Sequence, residues 1–168
     1  AIALIVGNQS CFVNSVTGYA WGDYLVQELP EKLAGWFPIS CEGKDRWVMG
    51  VGTGGYGALM AAQNAPDSFA GAAAVNPVLD VACLYGTDVE PKPEYLFGEK
   101  ETLDVRGYAL STTFQIPVHL YCDARHEEQA MQWARNGAQI TVEAVGAENL
   151  LEEAFQKYVQ NVKGGSRR

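Results

Sequence analysis

The residues best spaced for chemistry lie in Arg46-Trp-Val-Met-Gly-Val-Gly-Thr-Gly-Gly-Tyr-Gly-Ala-Leu-Met60. A hydrophobic run enters a glycine cluster and leaves on small residues, the pattern of a strand, a tight turn and a closely packed helix. A turn with the spacing Gly-x-Ser-x-Gly can hold a serine nucleophile above the end of a sheet. Gly50, Gly52 and Gly54 meet that spacing, and glycine stands where the serine would be. Gly52 has no side chain to deprotonate or acylate, so a covalent route through it is closed. Thr53 does not replace it, because such a turn aims one residue at the substrate. The Thr53 amide falls instead where an oxyanion donor would sit.

Other readings of the glycines are weaker. Gly50, Gly52 and Gly55 also spell Gly-x-Gly-x-x-Gly, but no ribose-binding acid follows at the right distance. A P-loop needs Gly-Lys-Ser/Thr after its glycines, which is absent. The chain has two histidines. His119 alternates within a strand-like run and reads as a packed or hydrogen-bonded structural residue. His126 lies among Asp123, Glu127 and Glu128. A metal ligand is conceivable there, but a solvated helix start with acids at the positive dipole end is favoured. No metal or other cofactor is expected. The cysteines Cys11, Cys41, Cys83 and Cys122 form no Cys-x-x-Cys pair and read as mostly buried thiols of a reducing, cytoplasmic setting. Glu152 and Glu153 read as a wet helix face, and Tyr19, Trp21 and Tyr24 as core packing.

These positions need a scaffold. At 168 residues, 48% hydrophobic and 19% charged, the chain suits one globular domain over residues 1–168. A net charge of −8 argues against nucleic acid or an anionic membrane surface as partner. No apolar stretch reaches the roughly 18–20 residues of a membrane span. Residues 1–6 read as a strand buried on both faces, and 19–33 as a helix disturbed by Pro30 and ended by Gly35. Residues 47–49 are a short strand and 54–63 a close-packed helix stopped near Pro66. Strands are expected at 69–75, 117–122 and 139–145, with helices at 127–135 and 150–162. Residues 77–114 are irregular and suit short helices over a site mouth. Alternating strand and helix predict an α/β fold, a mostly parallel sheet flanked by helices. The working loops then lie at the strands' carboxyl ends: the glycine turn, the stretch after Cys122 and the stretch after Val145.

Gly50-Val-Gly-Thr-Gly-Gly-Tyr-Gly-Ala-Leu59 followed by Asn64-Ala-Pro-Asp-Ser-Phe69 resembles the elbow region of the esterase D-type α/β-hydrolases. That group includes tributyrin esterases, S-formylglutathione hydrolases, feruloyl esterases and antigen 85 mycolyltransferases. Gly18-Tyr-Ala-Trp-Gly-Asp-Tyr-Leu-Val-Gln-Glu-Leu-Pro30 is similar to the helix preceding the family's elbow. The resemblance spans residues 1–162, is specific over 18–30 and 46–75, and is loose over 80–115. It implies an α/β-hydrolase-like fold lacking the family's first strands.

The resemblance also implies a catalytic triad in the order nucleophile, acid, histidine. The nucleophile position is Gly52, His126 falls on the acid position, and Glu148 stands where the histidine would be. Thr53 and Asn149 remain as candidate binding residues. Family members carry a strand that would lie between residues 1–6 and 47–49. Three explanations stay open for its absence: a longer protein, another chain filling the slot, or a first strand shifted in register. Two functions follow. One is a non-catalytic member of the family with a binding or interaction role towards an unidentified ligand or protein partner, self-association included. The alternative is a serine-type carboxylesterase acting on short acyl esters, whose serine was replaced or whose site a further segment completes.

Overall fold

The computed structural model describes residues 1–7 and 10–165. Four strands, β1 (Trp47–Val51), β2 (Gly71–Val75), β3 (Val118–Cys122) and β4 (Ile140–Ala144), form an all-parallel sheet in the order β1-β2-β3-β4. Val51 pairs with Val75 and Val75 with Tyr121, so the carboxyl ends of β1, β2 and β3 are level.

The helices follow from the sequence pattern. Three abutting pieces, Trp21–Asp23, Tyr24–Glu28 and Leu29–Trp36, make one helix, α1 (21–36). Pro30 does not stop it. The middle piece widens to a π turn, with the Leu29 amide reaching back to the Tyr24 carbonyl just before the residue that has no N–H to give. The other helices are α2 (Thr53–Asn64), a short α3 (Pro93–Phe97), α4 (Glu127–Ala134) and α5 (Leu150–Gly165).

Period-two alternation divides the sheet's faces. Ala72, Ala74, Val118, Leu120 and Cys122 pack under Leu59 and Ala62 of α2 and Ala130 of α4. Ala73, Val75 and Tyr121 point the other way, against Ala154 and Tyr158 of α5. All five residues of β2 are buried, and its alanines let helices approach closely from both sides. α1 packs through Leu25 onto Ala61 and Phe69. Residues 77–114 form short 3-10 turns and α3, whose Leu96 and Phe97 cover Tyr56 and Met60 of α2.

The strand expected over residues 1–6 does not form. Ile2, Leu4 and Val6 are 73%, 94% and 79% exposed, and only Ile5 is half-buried, against the cluster around Leu25. An apolar run becomes a strand only where a ladder partner accepts it. Among the described residues β1 pairs with β2 alone, and residues 1–6 do not join it on its other side. The burial expected of the cysteine thiols holds for two of the four: Cys11 and Cys122 are buried, while Cys41 and Cys83 are exposed.

Candidate functional site

β1 turns into α2 at Gly52, whose φ of +56° and ψ of −117° are closed to most side-chain-bearing residues. Its amide donates to the Val75 carbonyl at 3.0 Å. Its carbonyl accepts from the amides of Tyr56 and Val78, both at 3.1 Å. The flanking glycines are needed for space. A Cβ on Gly50 would lie 2.0 Å from the Gly54 carbonyl oxygen, and one on Gly57 would lie 2.6 Å from that of Cys11. Gly52 is the opposite case: a Cβ there would meet nothing within 4 Å. The turn therefore has the strained geometry of a nucleophile elbow and open room for a side chain that glycine does not supply. Thr53 is exposed at the first position of α2. Its amide has no acceptor outside the helix among the described residues.

Next to the elbow, across β2, the carboxyl end of β3 carries Asp123. This carboxylate is 2% exposed and saturated with donors. Its Oδ1 accepts from His126 Nδ1 at 2.8 Å and from the Arg125 amide at 2.9 Å. Its Oδ2 accepts from Asn76 Nδ2 at 3.1 Å and from Arg125 Nη2 at 3.2 Å. Asn76 completes the clasp by accepting from the Asp123 amide at 3.0 Å. The His126 bond, followed by those from Arg125 and Asn76, holds the Asp123 carboxyl well below the usual carboxylate range against the opposing effect of burial. Because an ionised carboxylate is an acceptor only, His126 donates to Asp123 through Nδ1. His126 is thus more than a solvated helix start. It is the N-cap residue of α4, and its half-exposed ring is fixed by a buried acid.

The third position follows β4, the strand beside β3. Glu148 and Asn149 are exposed in the turn between β4 and α5. The Asn149 carbonyl accepts from the Glu153 amide, and the Glu153 carboxylate accepts from the Gly146 amide at 2.9 Å. Glu153 therefore pins this turn instead of lying on a merely wet face. Glu152 accepts from Gln156 on the helix surface. His119 is far from the elbow in chemistry as well as in face. It sits half-buried under α5 beside Glu143, Asn161 and Tyr121, and burial pushes its pKa down. Among the described residues, no group of three or more His, Cys, Asp or Glu is placed to hold a metal ion. Of the aromatic trio, Trp21 packs edge-on against Phe12 and Tyr24, whereas Tyr19 is 70% exposed and lies outside the core.

The loops expected to carry Gly52 and Thr53, His126, and Glu148 and Asn149 follow the carboxyl ends of β1, β3 and β4, with β2 between the first two. Glu148 and Asn149 lie in an exposed turn after β4. Asp123 and its partner Asn76 were not singled out. The available signal was a carboxylate directly after the β3 run, in the loop where this topology places an acid.

A family model described as "Putative esterase" matches residues 7–166. No curated protein matches the chain. Among solved structures, the fluorophosphonate-binding serine hydrolase F of Staphylococcus aureus aligns with a TM-score of 0.71 at 16% identity. That alignment covers 92% of this chain and 68% of the other. An S-formylglutathione hydrolase from the same organism gives a TM-score of 0.66 at 16% identity, with the same coverage. MPT51 of Mycobacterium tuberculosis gives 0.59 at 15% identity, covering 83% of this chain and 65% of its own.

Proposed function

The chain belongs to this esterase family, with an α/β-hydrolase-like fold, and from that premise we propose that it is a member without the covalent step, its site retained for binding. One observation carries the reading: the elbow keeps its φ of +56° while the residue at its apex has no side chain. An enzyme of this kind needs a nucleophile, a base within reach of it and a group orienting that base. Here Glu148 occupies the position expected for the base. The ordered carboxylate, Asp123, is engaged by His126, Arg125 and Asn76. What remains are the exposed Thr53 at the start of α2 and the half-exposed ring of His126 at the start of α4, groups suited to a small polar ligand or a protein partner. The free cysteines fit a reducing, cytoplasmic setting.

A second reading, a short-acyl carboxylesterase of the tributyrin esterase type whose serine was replaced, draws on the open space at Gly52. One experiment separates the two. The protein is expected to show no labelling by a fluorophosphonate probe and no hydrolysis of p-nitrophenyl butyrate above background. Gly52→Ser is expected to add little, because no base is placed to activate the hydroxyl. Stoichiometric labelling of the unaltered chain overturns the non-catalytic reading. A rise of about a hundredfold or more in Gly52→Ser, the scale of general-base assistance, favours the second reading.

A further inference from the structure

The irregular stretch after β2 does not pack flush against α4. Between them lies a half-open cavity of about 410 Å³. Small-molecule sites commonly measure roughly 300–1,000 Å³. Its apolar wall comes from Leu79, Val81, Leu103, Leu110 and Trp133. Leu79 and Trp133 belong to the core between sheet and helices, Val81 and Leu103 to the core beneath residues 77–114. Leu110 packs against both, so the cavity lies on the seam between two cores. Trp133 meets Phe114 edge-on, with 6.4 Å between ring centroids, and stays half-buried.

This is not the elbow site. None of Gly52, Thr53, Asn76, Asp123 and His126 lines the cavity. Its walls come from residues 79–110 and from α4, which packs on β3 and β4, away from β1.

The rim is charged and its charges are not paired. Asp80, Lys100, Glu101 and Asp104 line the cavity and are exposed. Asp80 accepts from the Ala82 amide through Oδ1 at 2.8 Å, capping the turn that starts at Val81. Among the described residues, Lys100, Glu101 and Asp104 make no ion pair. Three carboxylates against one ammonium give the rim a negative balance, beside an indole, a ring whose face attracts cations.

We propose that this cavity binds an amphipathic organic cation, an ammonium group at the rim carboxylates carried on an aromatic body seated against Leu79, Leu110 and Trp133. Burial of the aromatic body supplies affinity, and the rim selects the charge. An anion of the same shape meets three carboxylates, and a neutral analogue forgoes the attraction.

Isothermal titration at low salt with tryptamine, tryptophol and indole-3-propionate tests this, since one ring system then carries positive, no and negative charge. Tryptamine is expected to saturate one site about tenfold more tightly than tryptophol, with indole-3-propionate the weakest. Glu101→Gln with Asp104→Asn removes two rim charges that hold no partner, so the fold survives. Tryptamine binding then weakens about fivefold while tryptophol binding is unchanged. In nitrogen-15-labelled protein, one of the four indole N–H resonances, the one that Trp133→Phe deletes, is expected to shift on saturation with tryptamine. Equal affinity for the three compounds overturns the proposal, as does the lack of saturable tryptamine binding. So does binding that the double variant leaves unaltered, or that shifts a different indole resonance.

Discussion

Two glycines of one turn have different reasons to be glycine, and substitution tells them apart. At Gly52 the obstacle is conformational, since a Cβ has room but φ is +56°. At Gly50 it is steric, against a backbone oxygen that cannot move without dismantling the turn. Thermal unfolding is therefore expected to show Gly52→Ala costing about 1–3 kcal/mol, the range for a strained backbone conformation. Gly50→Ala is expected to exceed about 3 kcal/mol, as for a clash that cannot relax. Equal losses would show that the turn is not held as described. Asp123 makes a prediction in pH. Its folded pKa is depressed, chiefly by His126, so its stabilising contribution is complete above the ordinary carboxylate value of about 3.9. That contribution is lost as pH falls below this value towards the folded one. Asp123→Asn is expected to lower stability at neutral pH and to flatten its decline below about pH 4 in acid titrations followed by circular dichroism. A variant as acid-sensitive as the parent would place the proton-linked group elsewhere. Asp123 was hard to see in sequence because its meaning depends on Asn76, 47 positions away. In the string Asp123-Ala-Arg-His-Glu127, nothing marks which acid is buried.

At the scale of elements, local pattern was a good guide wherever it was strong. The last three strands and α2 and α4 fall within about two residues of their expected limits, the ordinary slack in defining element ends, and α5 runs three residues past its own. α1 was also legible, and the disturbance expected from Pro30 takes the form of a π turn just before it. Residues 77–114 have no period to read, since side chains reaching back to their backbone hold them in place. Tyr56 on α2 donates to the Tyr108 carbonyl at 2.6 Å, and Gln63 donates to that of Ala109 while accepting from the Ser111 amide. Tyr108 in turn donates to the Asn14 carbonyl at 2.6 Å. Tyr56→Phe removes one donor and leaves the Tyr108 carbonyl without a protein partner, at a cost of about 1–3 kcal/mol. Hydrogen exchange is expected to quicken over residues 103–111 with the sheet unchanged. Unchanged protection there would mean that the aromatic contacts of Phe97 with Tyr56 and Tyr108 suffice.

Taken whole, the molecule is well covered on the faces of its sheet and bare on one flank. α2 and α4 close one face and α5 the other, while β1 and residues 1–6 leave apolar groups in water beside each other. No helix is long and apolar enough to cross a membrane among the described residues. Composition foretold the parallel α/β class, because alternating strand and helix leave few other packings. It misjudged residues 1–6, because the fate of an apolar run is decided by its neighbour and not by its own side chains. The sheet has one further property. Its strands stand in space in the order in which they occur along the chain, each beside its predecessor and joined to it by a crossover. A polypeptide made from its amino end at about 5–20 residues per second lays such a sheet down in sequence. Every strand after the first leaves the ribosome to find its template already standing. Assembly of these four strands need not wait for a late segment to thread between earlier ones.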